Sequence, residues 1–389
     1  MRIQSLSYRD THSEWELAEL KFFNDLTLLV GISGVGKTRI LQAVSALRRI
    51  AQGEEDVRRW GTSWNLTFTD DQERKYQWTG ELEEKGASDI QTEDDDAGIY
   101  YPTSGRDEHI PHPRFKHEFL SVDGATLIER DEAGIRLNGE LTPKLSPYES
   151  VVHLLSEEDQ IAPAASCFDQ ILMVDYSDDN TSFRHYPARL IDELREKLSD
   201  IDSIRKANYS TRIKLALASE SHPEILTQIV DRFTEAFPQV ETVAVRRIRT
   251  RYEDLYQLQI KERGVARWIP EHKFSSGMSR TLMHLSRMQL WPNGMVVLVD
   301  EFENSLGVNC INFVTEDMVR QSRRLQFIIT SHHPYIINTV DVANWKIVSR
   351  NGMVVSAEKA TDLGLESSSH GSFIKLLNLP QYAAGIGTP

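Results

Sequence analysis

Cysteine is nearly absent. Cys167 and Cys310 are the only two in 389 residues, which excludes a disulfide framework and leads us to expect a reducing, cytoplasmic setting. Long apolar runs are missing as well: stretches such as Met295 to Val299 fall far short of a membrane span, and the N-terminal stretch has no signal-peptide apolar core. We therefore expect a soluble chain with no membrane partner. Basic residues are outnumbered, 44 Lys and Arg against 58 Asp and Glu, and the formal charge of −14 argues against a protein that coats nucleic acid by bulk charge. A local basic patch is still allowed. Internal repeats, low-complexity tracts and sustained heptads are all lacking, which removes solenoids and long coiled-coil arms. Length is not scarce. It suffices for about two or three compact units, or for one nucleotide-binding domain with a large insertion.

Among what is present, the run Gly31-Ile32-Ser33-Gly34-Val35-Gly36-Lys37-Thr38 stands out, because the apolar segment Leu26 to Val30 precedes it and Ile40, Leu41, Val44, Leu47 and Ile50 follow at helical spacing. Strand, glycine-rich turn and helix in that order form a phosphate cradle, with backbone N–H groups converging on phosphate oxygens, Lys37 as a point charge and Thr38 as a Mg²⁺ ligand. The expected nucleotide contacts are Gly31, Ser33, Gly34, Val35, Gly36, Lys37, Thr38 and Arg39. Met295 to Val299 reads as a buried parallel strand that delivers Asp300 and Glu301 at its carboxyl end, Asp300 to hold Mg²⁺ and Glu301 to polarise an attacking water. A second apolar run, Leu325 to Ile329, leads to His332 and His333, which face the same crevice; a histidine there can sense the γ-phosphate. Lys273 to Arg280 opens a helix with small hydroxyl residues and a glycine, and reads either as an ordinary cap or as a second anion site.

The remaining segments read more simply. Residues 2–30 alternate as an antiparallel flap, Trp64 to Thr69 and Lys75 to Gly80 form a hairpin, and short strands follow from Phe119 to Asn138. The acidic run Glu93 to Asp96 fits a surface loop better than a metal site. Helices are expected over Ser146–Leu155 and Ala164–Val174 and around Leu190, Leu194 and Leu198, and Ser221 with Glu224 suggests a capping box ahead of Ile225, Ile229 and Phe233. Strands Val240–Val245 and Leu255–Ile260 flank the densest basic cluster, Arg246, Arg247, Arg249 and Arg251, which is either a solvated, salt-bridged loop or a contact for DNA or a partner.

Taken in order, GISGVGKT, FSSGMSR, MVVLVDE, ENSLG and TSHHP resemble the ABC-type ATPase heads of the SMC, RecF and OLD group. The resemblance covers residues 1–50 and 265–350 by motif. It implies an α/β P-loop NTPase fold, an ABC-type head with an antiparallel β flap and an inserted helical lobe without a long coiled coil. The corresponding segments are 1–145 (N-terminal half of the head), 146–239 (helical lobe), 240–350 (C-terminal half) and 351–389 (C-terminal extension). It also implies ATP and Mg²⁺ sandwiched between two subunits of a homodimer or higher oligomer. Ser275, Ser276 and Gly277 of one subunit would then meet the γ-phosphate held by Lys37 of the other, with Glu301 and His332 as catalytic residues and Asn304 to Gly307 as the D-loop. Departures from the pattern are Gly307-Val308 in place of a His-Pro pair, Met278 in the signature, and a Q-loop glutamine that could be Gln72, Gln77 or Gln91. Transporter heads share the motifs, but the interval between Lys37 and Ser275 is longer than they need. The short stretch after Arg350 leaves no room here for the Toprim nuclease of OLD proteins, so the chain is similar to stand-alone anti-phage ATPase subunits such as those of PARIS and Septu. That likeness implies slow, switch-type hydrolysis that controls a separately encoded nuclease or toxin. Alternatives are a RecF-type DNA repair ATPase and a nucleotide-gated scaffold that sequesters a toxin.

Overall fold

The computed structural model describes residues 1–54, 60–84, 112–174, 185–304, 306–365, 374–379 and 382. The acidic run Glu93 to Asp96, Gln91 and Ser305 lie outside them. In chain order the N-terminal elements are β1 (Arg2–Asp10), β2 (Trp15–Lys21), β3 (Leu26–Val30), α1 (Lys37–Ala51), β4 (Thr62–Thr69), β5 (Lys75–Leu82), β6 (Phe115–Val122), β7 (Ala125–Asp131), β8 (Gly134–Leu137) and β9 (Glu140–Leu141). There follow α2 (Val151–Leu154), α3 (Ala162–Phe168), β10 (Ile171–Met173), β11 (His185–Pro187), α4 (Ala188–Lys197), α5 (Ile201–Lys206), α6 (Thr211–Ser221) and α7 (Pro223–Ala236). The remainder comprises β12 (Val240–Arg249), β13 (Asp254–Glu262), β14 (Trp268–Pro270), α8 (Ser276–Leu290), β15 (Val296–Val299), α9 (Val308–Gln321), β16 (Gln326–Thr330), α10 (Pro334–Thr339), β17 (Trp345–Asn351) and β18 (Val354–Lys359).

Fourteen strands make one sheet, in the order β10-β15-β16-β3-β17-β18-β2-β1-β4-β5-β6-β7-β8-β9. From β10 to β17 the pairing is parallel, and from β1 outwards it is antiparallel, so core and flap are continuous. The core strands are apolar at nearly every position because both faces are covered. Leu29, Val296, Leu298, Ile328 and Val348 point to the α1 side, while Leu28, Val30, Val297, Val299, Phe327 and Ile329 point to the layer of α7 to α10. On the flap, Phe168 of α3 packs edge-on to Phe68 and Trp78, at 5.3 and 5.1 Å between centroids. Each such contact adds roughly 0.5–1.5 kcal/mol beyond area burial. The buried Glu118 ties the same corner together by accepting from Trp78 Nε1, Ser150 Oγ and the Val151 N–H.

Three local expectations are corrected. Ala164–Val174 is not one helix: α3 stops at Phe168, and Ile171–Met173 turns into β10 beside β15, where an unpaired sheet edge gains more from a strand than from two further helical turns. The Ser221–Glu224 capping box does not form, since the Ser221 hydroxyl donates to the Leu217 carbonyl in the last turn of α6 and His222 occupies the cap position of α7. Arg246, Arg247 and Arg249 lie within β12 instead of in a connection. Their neighbours take up much of the charge. Arg247 pairs with Asp254 at 3.0 Å and Asp192 at 3.3 Å, and the Arg246 guanidinium sits 4.8 Å from the Trp268 ring centroid. Helices α4 to α6 enclose a small separate core of Ile191, Leu194, Ile204, Ile213, Leu217 and Tyr256 against the sheet β11-β13-β12. Among the described residues, no helix is long and apolar enough to cross a membrane.

Candidate functional site

The parallel strand order puts β16 between β15 and β3, so the segments leaving these three strands at their carboxyl ends lie side by side. Gly31 leaves β3 so close to β17 that a Cβ would stand 2.6 Å from the Val348 carbonyl oxygen. Gly36 adopts φ 105° as the cap of α1 and presents no side chain to its first-turn N–H groups. These are the conditions for a loop whose backbone donors can serve an anion. Lys37 is buried, and its Nζ donates to the carbonyls of Gly31 at 2.7 Å and Ile32 at 2.9 Å.

Thr38 Oγ1 donates to Asp300 Oδ1 at 3.2 Å, and Thr330 Oγ1 donates to the same oxygen at 2.6 Å. Thr330 also accepts the Glu301 N–H at 2.7 Å, which fixes the turn where Glu301 takes φ 45°. The exposed Glu301 carboxylate receives a hydrogen bond from Asn304 Nδ2. Glu303 accepts the His332 N–H at 2.7 Å, joining the segments after β15 and β16. His333 is engaged elsewhere, since its Nδ1 accepts the Tyr335 N–H and caps α10. Hard oxygen donors gathered at Thr38 and Asp300 suit Mg²⁺, which takes one or two protein oxygens and completes its shell with phosphate and water.

Arg39 reaches toward the β1–β2 hairpin, where it donates to Ser13 Oγ at 2.5 Å and lies 5.1 Å from the centroid of Trp15, whose Nε1 would stand 3.2 Å from a Cβ at Gly36 of the loop. It forms one wall of a cavity of about 440 Å³ with Trp15, Gln42, Ala46 and Met173. Ser275 caps α8 by accepting the Met278 N–H at 3.2 Å, so the ordinary capping function is real. Ser275 and Ser276 are exposed, and neither they nor Gly277 bond to the chain's own phosphate loop. Gln72 and Gln77 belong to the β4–β5 hairpin in the flap. The segment adjoining the Asp300 strand is instead the one leaving β10, whose Val174 N–H donates to the Leu298 carbonyl. Thr330 and Glu303 are site residues that the sequence did not single out. Thr330 had a usable signal, as the first polar residue ending an apolar strand beside an acidic one.

Burial pulls the Lys37 ammonium down to about 8, against the opposing pull of Asp300, Glu301 and Glu303. The charged form is thus penalised below that pH and the penalty is relieved above it. Bound phosphates reverse the preference, so binding of a nucleoside triphosphate at pH 8 is expected to take up roughly half a proton, and close to none near pH 6. Calorimetry in buffers of different protonation enthalpy measures this directly; no uptake at pH 8 would contradict it.

A glycine-rich loop and an acidic strand end on neighbouring parallel strands, with an antiparallel flap built onto the same sheet, make an α/β P-loop ATPase head. The chain belongs to the family described as "AAA domain, putative AbiEii toxin, Type IV TA system", whose model matches residues 26–338. No curated protein sequence matches it. Among solved structures it is similar to an SMC head bound to the C-terminal winged-helix domain of ScpA, with a TM-score of 0.51 at 13% identity over 92% of this chain and 98% of that one. The SMC head of Thermotoga maritima has a TM-score of 0.46 at 13% identity, over 92% of this chain and 99% of that one. At these identities the likeness shows the fold, an SMC-type head, and among the described residues no coiled-coil arm is present.

Proposed function

We propose that two copies of this chain close around ATP and Mg²⁺, and that the nucleotide state switches a separately encoded effector, a nuclease or toxin, in anti-phage defence. One observation carries the two-copy reading. Lys37, Thr38 and Asp300 converge at one place, while the small-residue turn Ser275 to Gly277, with both serines exposed, makes no hydrogen bond to its own phosphate loop and is free to meet a nucleotide on a second copy. In this reading the Lys37 ammonium exchanges its two carbonyl partners for phosphate oxygens, and Thr38 with Asp300 holds the metal. Mg²⁺, when bound, offsets charge on the phosphates. Glu301 takes a proton from the attacking water, and His332, anchored through its backbone to Glu303, responds to the terminal phosphate. The family's toxin–antitoxin description and the ScpA-bound head both concern proteins that work with a partner, which supports the effector part of the proposal.

The test is nucleotide-dependent assembly. Light scattering should show dimers of Glu301→Gln with ATP. Adding Ser276→Arg to that variant should keep it monomeric while it still binds a fluorescent ATP analogue, and Lys37→Ala should lose both properties. A Ser276→Arg chain that dimerises like its parent would sink the composite site.

A further inference from the structure

Where β17 begins and β2 and β18 end, away from the phosphate loop, four lysines gather without counter-ions. Lys346 of β17 and Lys359 of β18 are direct cross-strand partners, an arrangement that costs stability because like charges face each other. Lys21 ends β2, which runs beside β18, and Lys75 opens β5. Among the described residues none of the four ammonium groups forms a salt bridge or a hydrogen bond; the Asp123 carboxylate beside Lys75 accepts that residue's backbone N–H at 2.9 Å instead. The nearby acids do not neutralise them: Glu19 shares their cavity and Asp362 acts on Lys346, but neither reaches ion-pair distance.

Phe23 explains how the cluster is held. The Nζ atoms of Lys346 and Lys359 lie 5.1 and 5.6 Å from its ring centroid, so the ring quadrupole offsets part of the repulsion between them, while the exposed Lys359 keeps its charge open to solvent. Lys346 is only 4% exposed, so it supplies charge from beneath the patch whose surface Lys21, Lys75 and Lys359 form. Burial, then Lys359, hold its ammonium below the usual lysine range, and an arriving anion would relieve that penalty. Lys21, Lys75 and Lys359 line an open cavity of about 470 Å³ together with Gln4, Ser5 and Asn24.

We propose that this lysine row binds the phosphate backbone of a nucleic-acid strand, independently of base sequence. Three of the lysines come from neighbouring strands about 4.8 Å apart, which sets the charges in a line across the sheet instead of around one phosphate. Lysines act on phosphates as point charges, and the open cavity offers no enclosed slot for a base. Against a chain of net charge −14, binding would depend on this local patch. The proposal is separate from the nucleotide switch and from the arginines of β12.

Fluorescence anisotropy of a labelled single-stranded oligonucleotide over a salt series tests it. Lys21→Gln, Lys75→Gln and Lys359→Gln, all at exposed positions, should together weaken binding. They should also flatten the slope of log K against log salt by about 0.7 per lysine, roughly 2 in all. Binding of a fluorescent ATP analogue should stay unchanged, which reports an intact fold. Arg249→Gln with Arg251→Gln should leave the oligonucleotide affinity as it is. The proposal fails if the lysine variant binds like the parent, if the arginine variant carries the loss, or if the parent takes up inorganic tripolyphosphate at this patch but no oligonucleotide.

Discussion

Glu301→Gln is expected to slow ATP turnover by about 10²–10⁴-fold, the usual contribution of a positioned general base, with nucleotide affinity close to that of the parent. The substitution removes the proton acceptor and keeps its shape. Asn304 can still donate to the amide oxygen of the new side chain, and the backbone bond from residue 301 to Thr330 is untouched. Backbone conformation adds to the argument, because Glu301 sits at φ 45°, a region that costs a non-glycine residue about 1–2 kcal/mol. Thr330 holds that turn in place, and it aims the carboxylate beyond the strand end while Asp300 remains engaged with Thr38. Asp300→Asn should behave differently, weakening Mg²⁺-dependent binding itself. Phosphate release and equilibrium binding, measured on both variants, separate the two residues. If Glu301→Gln hydrolyses ATP within about threefold of the parent, the base is another group.

The phosphate loop and the acidic strand end were legible because their physics is local. Gly31 and Gly36 meet backbone conditions that few other residues satisfy, and an apolar run that stops at Asp300-Glu301 is buried on both faces and then abruptly charged. The family match and the SMC-type head agree with the fold expected from those motifs. What escaped the sequence was decided at long range. Ile171 to Met173 has too few residues to show a period, and only the free edge of β15 makes it a strand. Ser221 carried a sound capping signal, but its hydroxyl is already bonded inside the preceding helix. For the arginines of β12 the sequence leaves a salt-bridged segment and a partner contact both open, and only the fold shows that Asp192 on α4 and Asp254 across the hairpin occupy Arg247. The lysine row is drawn from β2, β17 and β18, segments whose proximity only the sheet order reveals.

The same long-range logic makes Arg212 a position where a single truncation should cost much stability. Arg212 on α6 grips Glu271 with two nitrogens, Nε at 2.9 Å and Nη2 at 2.6 Å from Oε1, and the Glu271 side chain is fully buried. Glu271 opens the short 3₁₀ turn Glu271–Lys273, immediately ahead of Phe274 and the Ser275 cap. The helical layer thus ties down the turn that leads to Ser275 through the Arg212–Glu271 ion pair. Arg212→Ala leaves a buried carboxylate without its partner and should destabilise the chain by about 3–5 kcal/mol. Replacing both partners, Arg212→Met with Glu271→Leu, removes the stranded charge and should recover most of that loss, since apolar substitutes for a buried pair are often neutral. Denaturation midpoints of the two variants give the stability comparison. Assembly gives a second readout that stability alone would not move. If the pair orients the signature turn, the double variant will be stable, will bind the ATP analogue through Lys37, and will still dimerise poorly with ATP in the Glu301→Gln background. A double variant that dimerises normally would reduce Arg212–Glu271 to a structural tie.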